Sequence, residues 1–228
     1  MLKRNKMKNI FNKLRNKTAA TVGALLVCAS SLIGQVSGDV KYLQPIEGKG
    51  AYSEVNAFYG LPFGARGYTF MDFNEGNYYG KTFVTKALGE KGLALKTETM
   101  HANETMTQTG AGVQFNLPAI PNVNYANLNY LPAFVGKDGK VVRDDKGIMK
   151  SALGYAASVN LPGEVELSSF GQVVIGDKAK WSYGEVEARK NITKSGKVFI
   201  AGNIALLSNP TKPLSPKTQA RATIGVRF

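Results

Sequence analysis

A single cysteine and a single histidine occur in 228 residues. The cysteine, Cys28, lies in an uncharged N-terminal stretch, so the rest of the chain has no disulfide, no thiol nucleophile and no Cys-ligated metal. His101 would have to serve any Ser-His hydrolytic centre, yet no nucleophile motif accompanies it, and most zinc sites need a second histidine. The expectation is therefore no catalytic residue, no metal, no cofactor and no enzyme. Long helical periodicity is also missing, and 43% hydrophobic residues are too few for a bundle of membrane-spanning helices. Residues 39–228 contain no charge run, heptad or Ser/Pro-rich linker that would mark a second domain.

The net charge of +13 resembles a nucleic-acid signal until it is located. Seven basic residues, Lys3, Arg4, Lys6, Lys8, Lys13, Arg15 and Lys17, precede the first acid. They are followed by an uncharged stretch, Thr18–Gly38, with an apolar centre at 24–29. A basic start, a short apolar segment and small residues near Val36-Ser37-Gly38 make residues 1–38 a cleaved export signal, with cleavage after Ala29 an alternative. Val27 before Cys28 argues against a lipid-attachment site. Without these seven, 22 basic residues face 16 acidic ones, an ordinary surface or a mildly cationic pore, and no nucleic-acid polymer is expected as a partner.

What recurs after residue 38 is a period of two. In the last segment Ala220, Ala222, Ile224, Val226 and Phe228 oppose Gln219, Arg221, Thr223, Gly225 and Arg227. Thr109, Ala111, Val113 and Phe115 likewise oppose Gln108, Gly110, Gly112 and Gln114, and Val165, Leu167, Val173 and Ile175 oppose Glu164, Glu166, Ser168 and Gln172. Alternation alone fits a soluble sandwich as well as a membrane barrel. Export favours the barrel, because a membrane-spanning sheet must close to satisfy its backbone hydrogen bonds. Gly and Gln on the polar face suit a lumen, and the alternating end at Phe228 resembles the C-terminal signal that outer-membrane proteins present to their assembly machinery.

The fold expected for 39–228 is thus all-β, a single antiparallel transmembrane barrel in the cell outer membrane. Its partners would be outer-membrane lipid, periplasmic chaperones and the barrel-assembly machinery. Strands are predicted near 50–59, 67–75, 78–88, 92–101, 106–117, 122–135, 147–160, 163–175, 179–190, 197–207 and 218–228. A twelfth at 40–46 would give the even number such barrels need, with ten as the alternative if short early segments merge. Leu61-Pro62, Leu117-Pro118 and Leu161-Pro162 then share the periplasmic side, and the longer segments 136–146 and 208–217 lie outside.

A barrel of this size is wider than those filled by side chains and narrower than open porins. Its predicted lumen set is Lys96, Glu98, Gln108, Gln114, Asn116, Lys150, Glu164, Glu166, Gln172, Arg221 and Arg227. Mixed signs across a lumen suit small polar solutes in a passive channel. The other reading is a non-conducting structural or adhesive barrel whose charges pair inside a filled lumen. Arg221 with Glu54 is one expected pair, on the view that closure sets the last strand beside an early one.

Gly67-Tyr68-Thr69-Phe70-Met71-Asp72-Phe73, then Tyr79-Gly80, then Gly110-Ala111-Gly112-Val113 leading to Leu117-Pro118, resembles the nucleoside-specific Tsx-like channel family. The resemblance covers residues 67–118. It implies a twelve-stranded channel lined by aromatic and ionisable residues, with nucleosides among its solutes and Tyr68, Phe70, Asp72 and Phe73 as candidates. Alternation lets either Tyr68/Phe70/Asp72 or Thr69/Met71/Phe73 face inward, and the cost of Asp72 against lipid selects the first set. Tyr68 and Phe70 would then stack on a flat base, or else serve as interfacial girdle residues.

Overall fold

The computed structural model describes residues 36–47, 50–74, 77–89, 92–102, 106–209 and 211–228. Twelve strands follow one another: β1 (Val36–Pro45), β2 (Tyr52–Gly60), β3 (Arg66–Asn74), β4 (Asn77–Ala87), β5 (Leu93–Ala102), β6 (Met106–Asn116), β7 (Val123–Gly136), β8 (Ser151–Leu161), β9 (Val165–Ile175), β10 (Ala179–Asn191), β11 (Val198–Leu207) and β12 (Lys217–Arg227). Each pairs antiparallel with its neighbours, and β12 closes on β1. The chain is a closed twelve-stranded barrel, and the alternative of ten strands is set aside.

Closure leaves no sheet edge, so every strand finds backbone partners on both sides. The seam is fastened at its end by Gly38 and Phe228, whose backbones exchange two hydrogen bonds at 3.2 and 3.0 Å. A Cβ at position 38 would run into the Asn56 carbonyl and the Phe228 ring, so only glycine fits beneath the last residue. β1 begins at Val36, so the boundary expected at residue 38 falls inside a paired strand; the earlier part of the expected leader lies outside the described residues.

Pairing fixes the faces. Asp39, Lys41 and Leu43 stand opposite Asn56, Glu54 and Tyr52, and this row continues into Phe70 and Asp72 of β3, all buried or half-buried. The other row contains Leu95, Phe115, Leu128, Leu153, Ile200, Ile204, Ile224 and Val226, between 43 and 55% exposed. A continuous apolar outer belt around a charged interior is the inverse of a water-soluble protein, and it suits lipid.

The three Leu-Pro connections and the C-terminus share one end, while 137–150 and 208–216 share the other. At the first end the β8–β9 loop turns within three residues through left-handed Gly163 and Glu164, φ 78° and 62°. At the second end β8 starts later than expected: Arg143 and Met149 form an isolated bridge, and the Lys150 amide donates to Val142. Residues 137–150 thus fold as an extra hairpin. Its Val142 packs on a buried cluster of Leu131, Phe134 and Ala152, together with Val174.

Candidate functional site: the barrel lumen

The polar side chains inside the barrel are joined across it. Lys81 of β4 donates to Glu98 Oε1 of β5 at 2.6 Å and to Gln172 Oε1 of β9 at 2.8 Å, and Gln172 Nε2 donates to Glu98 Oε2 at 2.9 Å. β5 and β9 are four strands apart in the ring, so this three-residue bridge spans the lumen. All three are 8% exposed or less.

A second network joins β1, β2 and β10. Lys41 stands 3.0 Å from Glu54 and 2.9 Å from Glu187, and Arg189 stands 2.7 Å from Glu187 and 3.1 Å from Asp39. Asn56 donates to both Asp39 and Glu54 and accepts from the Tyr68 hydroxyl at 2.7 Å. Burying a charge is costly unless it is paired and hydrogen-bonded, and each here has two or more partners. Beside this network Phe199 fills the space over Gly225, with the Arg189 guanidinium 4.2 Å from its ring centre and that of Arg227 5.6 Å away.

An aromatic wall rises from β2, β3 and β4. Tyr68 stacks on Phe58 at 4.6 Å and on Phe83 at 5.7 Å, and Phe70 packs against Tyr68 and Phe83, each at 6.4 Å. This wall borders two cavities of about 320 and 360 Å³. The first contains the Lys81–Glu98–Gln172 bridge together with Lys96, Gln114 and Asn129; the second contains the Lys41–Glu187–Arg189 network.

Most of the expected lumen set lies on the inner face: Tyr68, Phe70, Asp72, Lys96, Glu98, Gln108, Gln114, Glu166, Gln172, Arg221 and Arg227. Asn116 shares that face but is exposed at the mouth. Phe73 pairs with Ser53 and Tyr78 on the outer row. Two expectations are corrected. Glu164 occupies the β8–β9 turn and is exposed, because the turn takes it out of the ladder; Lys150 precedes β8, in the extra hairpin. The pair Arg221–Glu54 is also replaced. β1 lies between β12 and β2, so Glu54 meets Lys41, and Arg221 stands 3.5 Å from Glu185 with its guanidinium 5.1 Å from the Tyr52 ring centre. His101 sits on β5 opposite Gly80 and Thr107, on the outer row.

Lys41, Lys81, Asn56, Tyr183, Glu185, Glu187 and Arg189 belong to the site but were not in the expected set. Their signal was available in the spacing Tyr183-x-Glu185-x-Glu187-x-Arg189, where charge recurs at every second residue. Over the strand residues that are buried or half-buried, six cations (Lys41, Lys81, Lys96, Arg189, Arg221, Arg227) meet seven anions (Asp39, Glu54, Asp72, Glu98, Glu166, Glu185, Glu187). The lumen is close to electrically balanced.

The same fold is found in solved porins. The structure superposes on the KdgM porin with a TM-score of 0.53 and 8% identity, covering 84% of this chain and 98% of that one. The NanC porin gives 0.54 and 9%, over 85% and 99%. A complex of the KdgM porin with disordered oligogalacturonate gives 0.53 and 8%, over 84% and 98%. At these identities the likeness establishes the fold. No family model matches the sequence, and no curated protein matches it either.

Proposed function

We propose that the chain is an outer-membrane channel through which small polar solutes diffuse passively. The observation that carries this reading is a closed, lipid-compatible barrel with two cavities beside an aromatic wall in a nearly charge-balanced lumen. Balanced charge gives no strong sieve by sign, and the aromatic wall offers an apolar contact to solutes that are polar at their edges and flat above. Nucleosides, which the Tsx-like resemblance implies, have that shape and are the finer form of the proposal, with Tyr68 and Phe70 as the stacking pair.

The chain would reach the membrane by export, chaperoning and insertion through its C-terminal strand. Leader removal would fall before Val36, because pairing of β1 begins there. A mass spectrum of the mature protein beginning at or before Val36 fits, whereas a start at Asp39 contradicts it.

One observation favours a second reading, a filled structural barrel: the Lys81–Glu98–Gln172 bridge crosses the lumen with its members buried. Planar-bilayer recordings of refolded protein separate the two. Discrete openings, altered by Asp72→Ala or Arg221→Ala, support the channel; silence from protein that shows heat-modified migration on unboiled gels supports the filled barrel.

A further inference from the structure

Lys96 on β5 is 8% exposed, and among the described residues its ammonium makes no ion pair. It stands instead 4.7 Å from the Phe83 ring centre. A ring face compensates a buried cation only in part, so the ammonium has capacity left for an anion. Tyr68 is stacked between Phe58 and Phe83, with centroids 4.6 and 5.7 Å away and interplanar angles of 23° and 13°, so rings from three adjacent strands form one stack whose edges line the cavity beside that ammonium. Asn129 lines the same cavity; it is 6% exposed, and its amide oxygen has no hydrogen-bond partner.

We infer that this cavity of about 320 Å³ binds a small, flat aromatic monocarboxylate carrying a ring hydroxyl. The ligand ring lies edge-to-face against the Phe58–Tyr68–Phe83 stack, the carboxylate takes the Lys96 ammonium, and the hydroxyl donates to the Asn129 amide oxygen. The volume is at the lower end of small-molecule sites, roughly 300–1,000 Å³, which limits the ligand to about one ring. Glu98, the acid of this cavity, is already held by Lys81, so it does not neutralise Lys96 by direct contact. The neighbouring cavity is lined by more acids than bases and repels the same anion, which confines it to the Lys96 side. The inference rests on the channel reading and adds an aromatic acid, held locally at Lys96, to the nucleosides proposed as solutes, although binding itself does not need conduction.

The test uses full-length mature barrel refolded in detergent, with titration calorimetry on 4-hydroxybenzoate, 4-hydroxybenzamide and glucuronate, and the same protein in planar bilayers. A charge-assisted contact predicts that 4-hydroxybenzoate binds at least about tenfold more tightly than its amide. Lys96→Met should abolish that preference and Lys96→Arg should keep it. Phe83→Leu, a second variant with no charge change, should weaken acid and amide together. Equal affinity for acid and amide, no binding, a preference that survives Lys96→Met, or glucuronate binding as tightly as the aromatic acid would each overturn the inference. A pore that conducts without preferring the acid defeats this inference alone, and a silent barrel that binds the acid defeats the channel reading alone.

Discussion

Two knots of side chains fill opposite parts of the barrel and are built on different chemistry. Towards the end with the C-terminus, Asp39, Lys41, Glu187 and Arg189 hold one another by ion pairs. Towards the other end, Leu131, Phe134 and Ala152 pack with Val142 and Val174 without any polar contact of their side chains. The charged knot follows the strict alternation, whereas the apolar one crosses a register shift in the β6–β7 pairing, with Leu131 and Phe134 both inward. The difference is in dependence: truncating an apolar side chain leaves a void, whereas removing one ion leaves its partner buried and uncompensated.

The largest effect that would expose this difference is expected in the charged knot. Glu187 accepts from Lys41 and twice from Arg189, so Glu187→Ala should destabilise the barrel by about 3–5 kcal/mol, read as a lower urea midpoint in micelles. Restoring much of that stability with the second change Lys41→Met would confirm the dependence, and an additive effect would break it. Phe134→Ala in the apolar knot should cost about 3–4 kcal/mol, and no charge removal elsewhere should rescue it. Gly225→Ala should cost about 1–3 kcal/mol, because the new methyl must displace the Phe199 ring; a neutral result would show that Phe199 is not fixed between its arginines.

The smallest effect concerns the extra hairpin whose Val142 covers the apolar knot. The backbone amides of Asp177, Ile148 and Lys146 donate to Asp144, which holds its carboxyl below the usual carboxylate range, the Asp177 amide contributing most. A carboxyl depressed on folding stabilises above its ordinary value and loses that contribution as pH falls through the depressed one. Hydrogen exchange at the Asp177 and Ile148 amides should therefore stay slow, after correction for intrinsic rates, down to the ordinary carboxylate range and quicken below it. Asp144→Asn should remove that pH dependence, and an unchanged profile would detach the hairpin from Asp144.

The strands were legible in the sequence because lipid and lumen impose opposite chemistry on successive residues. The rows Ala220 to Phe228 and Gln108 to Gln114 declare both faces without any structure. What escaped has two physical causes. A register shift between Trp181 and Tyr183 reverses parity in β10, so counting by twos from the outward Trp181 would put Glu185 and Glu187 on the lipid side. Cross-lumen partners such as Lys81 and Gln172 are 91 residues apart and meet only when the sheet closes. The same closure places β1 between β12 and β2, which is why Arg221 finds Glu185 and not Glu54.

The central claim is that successive residues of one strand alternate between membrane and interior. The only cysteine, Cys28, lies within the expected leader, which leaves the mature chain free for single thiols on β12. Fluorophores attached to Ala222→Cys, Thr223→Cys and Ile224→Cys in vesicles of brominated lipid should be quenched at 222 and 224 and spared at 223. Uniform quenching, or quenching strongest at 223, would contradict the account.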